Sequence, residues 1–138
     1  MSRLTVLATA FCVLLASVSG SPVATNETAT LEKRVTHTGR GTWYEVGLGA
    51  CGYENVDTDY IVAISQDIYA DGGNCNQYMR IENTANGVVA YGQTRDKCMG
   101  CDATAIDLSP SLFEALGADL GDGVLTVSWH FMSKDWTP

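Results

Sequence analysis

Basic residues are scarce in this chain, and beyond Arg34 they form no cluster. A nucleic-acid backbone therefore finds no electrostatic footing, and anionic lipid surfaces are disfavoured for the same reason. Histidine is limited to His37 and His130, so a zinc site built on Cys98 and Cys101 lacks further ligands at suitable spacing. No apolar run reaches the roughly 20 residues of a membrane span. The longest, from Leu4 to Val18, is interrupted by Thr5, Thr9 and Ser17. No repeat of about 20–50 residues is visible, and no linker divides the chain. What remains is an acidic sequence of 138 residues with a formal net charge of −8, enough for one domain.

Its start reads as an address. Arg3, the apolar run and the small residues Ser19, Gly20 and Ser21 have the order of a secretory signal, cut after Gly20, so residues 1–20 are expected to be removed and the protein secreted. Residues 21–34 are polar, lack periodicity and end in Glu32-Lys33-Arg34. This segment reads as a propeptide cut after its dibasic pair, or as a disordered N-terminal tail. It holds the sequon Asn26-Glu27-Thr28, an acceptor for Asn-linked sugar that the remainder lacks. Residues 35–138 read as one unit. Cys12 falls in the signal core, which leaves Cys51, Cys75, Cys98 and Cys101. An even set in a small secreted domain implies two disulfides, in any of three pairings.

Periodicity places several short strands. Leu125, Val127, Trp129 and Phe131 alternate with Val124, Thr126, Ser128 and His130, so 124–131 is a strand with one buried face. Residues 42–46, 60–65, 77–83 and 88–94 are further strands, and Asn86-Gly87 suits a tight hairpin between the last two. Ser65 caps one helical turn through Tyr69. Ser109-Pro110 opens a second helix, with Leu112, Phe113 and Leu116 facing inward and Gly117 as its stop. Many short strands with little helix in one small domain read as a mainly β barrel or sandwich.

Two segments concentrate the chemistry. Gly39 to Gly52 is an aromatic strand running into a glycine-rich loop with a cysteine. Asp96 to Phe113 packs Cys98, Cys101, Asp96, Asp102 and Asp107 into the approach to a capped helix. The loop Gly47-Leu48-Gly49-Ala50-Cys51-Gly52 formally matches a dinucleotide fingerprint, but no amphipathic helix follows to seat a pyrophosphate. Cys98-Met99-Gly100-Cys101 lacks the βαβ setting of a redox site and reads as a structural bridge.

Gly-Thr-Trp-Tyr, Gly-Ala-Cys-Gly, Cys-Met-Gly-Cys and Ile-Asp-Leu-Ser-Pro, in this order, resemble the single-domain expansin-like proteins of fungi, the loosenins, related to RlpA-like and barwin-like proteins. The resemblance covers nearly everything after residue 38. It implies a six-stranded double-psi β-barrel with one or two short helices, and it favours Cys51 pairing with Cys75 and Cys98 with Cys101. Asp107 falls on the aspartate of the family's His-Phe-Asp motif, although Ala105 and Ile106 precede it here. Asp96 and Thr42 fall on a second groove aspartate and a groove threonine, and Asp102 is the substitute for Asp96 if the loop folds differently. Against these readings stand ordinary ones: a helix-start carboxylate for Asp107, a solvated loop charge for Asp96, and a routine strand residue for Thr42.

Trp43, Tyr44, Tyr53 and Tyr91 are candidate faces for sugar rings. Trp43 and Tyr44 point to opposite sides of one strand, and the expectation is Tyr44 buried with Trp43 at the groove. Trp136 is expected at a frayed terminus. The resemblance implies a monomeric, cofactor-free, non-hydrolytic protein that binds and loosens cell-wall polysaccharide such as cellulose, chitin or chitosan. The alternative is a secreted cysteine-protease inhibitor on the same barrel, and the third reading is a glycosidase or lytic enzyme.

Overall fold

The computed structural model describes residues 35–138. The signal and propeptide segments, Cys12 and the Asn26 sequon lie outside them. Six strands, β1 (His37–Trp43), β2 (Ile61–Ser65), β3 (Tyr78–Asn83), β4 (Val89–Cys98), β5 (Ile106–Leu108) and β6 (Leu125–Phe131), close a barrel in the order β1-β5-β2-β4-β3-β6. β1 runs parallel to β5 and β2 parallel to β4, and the remaining neighbours are antiparallel. Two short helices, α1 (Gln66–Tyr69) and α2 (Pro110–Ala115), and a 3-10 turn (Leu120–Asp122) complete it. Among the described residues no helix is long and apolar enough to cross a membrane.

The alternation read in the last strand is present, with Val127 and Trp129 fully buried and Leu125 and Phe131 packed at the edge of the core. Val62, Ile64, Met79, Ile81, Ile106 and Leu108 supply the other inward positions. α2 plugs the barrel with Leu112, Phe113 and Leu116. Ser65 caps α1 by accepting from the Asp67 amide. Ser109, expected to cap α2, instead accepts from the Ile61 amide, tying the helix start to β2.

Several boundaries differ from the expectation. The first strand begins at His37 rather than Thr42, because backbone pairing from His37 to Gly41 with β6 sets its extent although two of those residues are glycine. β4 continues to Cys98, since β2 pairs with it to the end. β5 is not among the expected strands: three residues carry too little period to register, yet β1 and β2 hold it on both sides. The Asn86-Gly87 hairpin is wider than a two-residue turn, with Thr84 to Val88 between the strands. Asn83 and Asn86 both donate side-chain amides to the Leu116 carbonyl, at 3.0 and 3.1 Å, and so pull the connection toward the end of α2. Trp136 is not frayed; it packs against Tyr91 and Tyr78, with ring centroids 4.7 and 5.9 Å away.

Gly92 is where α2 meets the barrel wall. A β-carbon there would sit 2.5 Å from Leu112 Cδ2 and 2.7 Å from Val62 Cγ2, two side chains with no room to retreat. Gly92→Ala is therefore expected to destabilise by about 1–3 kcal/mol. In thermal denaturation this is a fall in Tm of roughly 5–15 °C, and an unchanged Tm would contradict the packing described.

Candidate functional site

Strand pairing lines up four residues across neighbouring strands. Thr42 on β1 pairs with Asp107 on β5, Asp107 with Ala63 on β2, and Ala63 with Asp96 on β4. All four line one open cleft of about 440 Å³ on the outer surface of the barrel. At roughly 4.8 Å per strand step, the two aspartates stand about 9–10 Å apart at their α-carbons, with the small Ala63 as the floor between them.

Asp96 reaches this surface because of a β-bulge. Val62 pairs with Thr94 and the next residue, Ala63, with Asp96, so Arg95 is skipped. Strict alternation from Ala90, Gly92 and Thr94, all buried, would turn Asp96 into the core. The extra residue re-aims it outward. The freed Arg95 carbonyl accepts from the Cys51 amide at 3.1 Å. Gly49 lies so close to that carbonyl that a β-carbon would come within 2.3 Å of it. Asp96 is thus part of a strand rather than the solvated loop charge weighed above.

Hydrogen bonds fix both carboxylates. Thr42 Oγ1 donates to Asp107 Oδ1 at 2.8 Å. Asp96 Oδ1 accepts from the amides of Ala50 and Lys97, each at 2.8 Å, and its Oδ2 accepts from the Tyr44 hydroxyl at 3.1 Å. Burial pushes the Tyr44 hydroxyl far above the ordinary tyrosine range, and the Asp96 charge reinforces this, so Tyr44 stays a proton donor to Asp96 throughout the working pH range. Burial likewise raises the Asp107 carboxyl, against the Thr42 hydrogen bond, the Leu108 amide and the Arg40 charge, which pull it down.

The aromatic pair at the end of β1 is reversed relative to the expectation. Arg40, Thr42 and Tyr44 share the outer side and line the cleft. Trp43 turns inward, packs on the core and donates Nε1 to the Leu120 carbonyl at 2.9 Å. With Thr42 in the groove, period two leaves its neighbour Trp43 no place there. Tyr53 lies exposed under the Arg95 guanidinium, 3.8 Å from its ring centroid, and Tyr91 is engaged with Trp136.

Asp102 does not line the cleft. It is exposed and accepts from the amides of Thr104 and Ala105, which holds its carboxyl below the usual range and shapes the turn into β5. The disulfides are Cys51–Cys75 and Cys98–Cys101, the pairing the resemblance favoured. The second forms one wall of the cleft with Met99 and Gly100. Arg40 and Lys97 complete the lining and were not singled out in the sequence. Arg40 was available by counting back two from Thr42; nothing local marks Lys97. Among the described residues no group of three His, Cys, Asp or Glu side chains converges as a metal site.

No protein-family model matches the chain. The chain is similar to the papain inhibitor of Streptomyces mobaraensis, 32% identical over 131 residues, covering 89% of this chain and 91% of that protein. An allergen homologue of Arthroderma benhamiae is 33% identical over 112 residues, 69% of this chain but 38% of the relative, so this chain spans well under half of that protein's length. Among solved structures, the Streptomyces papain inhibitor superposes with a TM-score of 0.62 at 33% identity, covering 71% of this chain and 94% of that one. An expansin of Clavibacter michiganensis, a mutant solved in complex with cellohexaose, gives 0.65 at 26% identity over 75% of this chain and 54% of its own.

The Asp107 carboxyl yields a signed prediction. Its pKa in the fold lies above the ordinary 3.8, so the folded state holds the proton longer than the unfolded one. Stability from this group is therefore greatest at low pH and declines as pH rises through the raised value. Asp107→Asn keeps an oxygen for the Thr42 hydroxyl and removes the cost of a half-buried charge. We expect Tm at pH 7 to rise by about 2 °C, solvent screening keeping the effect small, with the difference vanishing below pH ~4. A fall in Tm at pH 7 would show the carboxylate to be a net stabiliser.

Proposed function

Since this chain belongs to the family of expansin-like double-psi β-barrel proteins, we propose that its cleft binds a polysaccharide chain without cleaving it. The observation that carries this reading is the row Thr42–Asp107–Ala63–Asp96, which sets two fixed carboxylates on either side of a small, flat floor. A glycan crossing that floor meets acceptors for its hydroxyl protons at Asp107 and Asp96, and donors at Arg40 and Lys97. The Tyr44 edge and Met99 offer apolar contact to a ring. The Clavibacter expansin in complex with cellohexaose supports the same ligand class. The two disulfides suit a secreted protein acting outside the cell after removal of residues 1–34.

Asp96 argues against bond cleavage. Hydrolysis with inversion needs a protonated acid and a second carboxylate free to activate water. Asp107, raised by burial, suits the first role. Asp96 already accepts three hydrogen bonds, from the Ala50 and Lys97 amides and the Tyr44 hydroxyl, which leaves about one lone pair free to receive a proton from water. Its arrangement suits holding a chain. Binding a distorted chain better than a relaxed one would lower the cost of parting it from its neighbours.

A second reading rests on a separate observation, the similarity to a papain inhibitor across 91% of that protein's length. On this reading surface loops plug a protease cleft, and the carboxylates act only in support.

One set of tubes tests both. Protein covering residues 35–138 is mixed with insoluble cellulose, chitin or chitosan, reducing ends are assayed, and inhibition of papain is measured in parallel. We expect retention on at least one polymer without released ends, and about tenfold weaker retention for Asp107→Asn, the loss of one charge-assisted hydrogen bond. Released reducing ends would replace this reading with a glycosidase. Absence of retention together with inhibition of papain would establish the second reading in its place.

A further inference from the structure

We propose that the loop Gly47–Tyr53 is the part of this chain that enters the active-site cleft of a papain-like cysteine protease, with Leu48 as its apolar anchor. The inference rests on the inhibitory reading and assigns it a place. The connection between β1 and β2 carries Leu48, Tyr53, Val56 and Tyr60, half of the exposed large apolar side chains among the described residues. Leu48 is the most exposed of them, at 74%. A single exposed leucine is unremarkable on a soluble protein; the backbone that presents this one is unusual.

That backbone is fixed on every side. Leu48 bridges to Glu54, Gly49 N donates to Tyr53 O at 3.0 Å, Asn55 N to Gly47 O at 3.0 Å and Gly52 N to Gly49 O at 2.9 Å. The Ala50 amide is held by Asp96, its carbonyl by the Tyr69 hydroxyl at 3.0 Å, and Cys51 by both the Arg95 carbonyl and its disulfide. A loop so restrained has little ordering entropy left to lose when a partner closes around it, which is the means by which rigid inhibitors bind tightly.

Gly47 supplies an independent observation. Its φ is not in the left-handed region, and a β-carbon there would meet nothing within 4 Å. The fold itself therefore does not require glycine at this position. A bare backbone beside an exposed leucine instead suits a surface that approaches closely from outside. The segment from Gly47 to Tyr53 also carries no charge, in a chain whose net charge is −8, so it can leave water for an apolar subsite without stranding an ion.

The test measures inhibition constants against papain with a chromogenic peptide, for residues 35–138 and for Leu48→Asp, Gly47→Gln and Val124→Asp. Val124 is an exposed apolar residue outside the loop and controls for surface charge. Melting temperatures should stay within about 2 °C of the parent, since Leu48 and Val124 are exposed and a side chain at Gly47 would meet open space. We expect Leu48→Asp to weaken inhibition about 100-fold, Gly47→Gln at least tenfold, and Val124→Asp to leave it unchanged. If the parent inhibits and both loop variants inhibit equally well, the loop assignment is wrong while the inhibitory reading stands. If the parent does not inhibit papain, that reading fails and this inference fails with it.

Discussion

The skipped residue in β4 organises everything of functional interest here. Without the bulge at Arg95, Asp96 would turn toward Thr94's side of the sheet and be lost to the barrel interior. With it, three things happen together. Asp96 emerges onto the row with Ala63 and Asp107, the Arg95 carbonyl becomes free to hold Cys51, and the Arg95 guanidinium lies over Tyr53. A local defect in strand pairing thus positions both the cleft and the loop beside it.

The same carboxylate serves two surfaces. One oxygen of Asp96 fastens the Ala50 amide and so stiffens the loop, while the other is polarised by a tyrosine that keeps its proton. Glycan binding and protease binding would draw on this residue differently, as a contact in one case and as a brace in the other. One fold can host more than one function, each set by its own site residues.

Much of the fold was legible in the sequence where a local period was long enough to register. The alternation through Val127 and Trp129 gave the last strand, and Ser65 and Ser109-Pro110 marked both helix starts. β5 was not legible, because a three-residue strand is defined by partners distant in sequence. Nor was the bulge, which inserts one residue into an otherwise regular run from Val89. The exchange of Trp43 and Tyr44 has a different origin. The parity of β1 follows from Thr42 alone: with Thr42 in the cleft, Trp43 faces the core and Tyr44 the cleft. Of the cleft residues, Thr42, Asp96 and Asp107 were reached through resemblance, and Arg40 could have followed from them. Lys97 and Met99 could not, since Lys97 lies on β4 beyond the bulge and Met99 is brought to the wall by the disulfide loop.

Barrel closure has a consequence for how this protein comes into being. Among the described residues β1 is the first strand in the chain, and it pairs only with β5 and β6, the last two. A growing chain can form the β3–β4 hairpin early, yet Thr42 has no Asp107 to meet until four of the other strands have been synthesised or begun. Loop-closure entropy must be met before these distant pairings return anything, which places the domain among the slower-folding topologies. The cleft is therefore absent from every N-terminal fragment that ends before β5, so a nascent chain of that length carries no preformed groove.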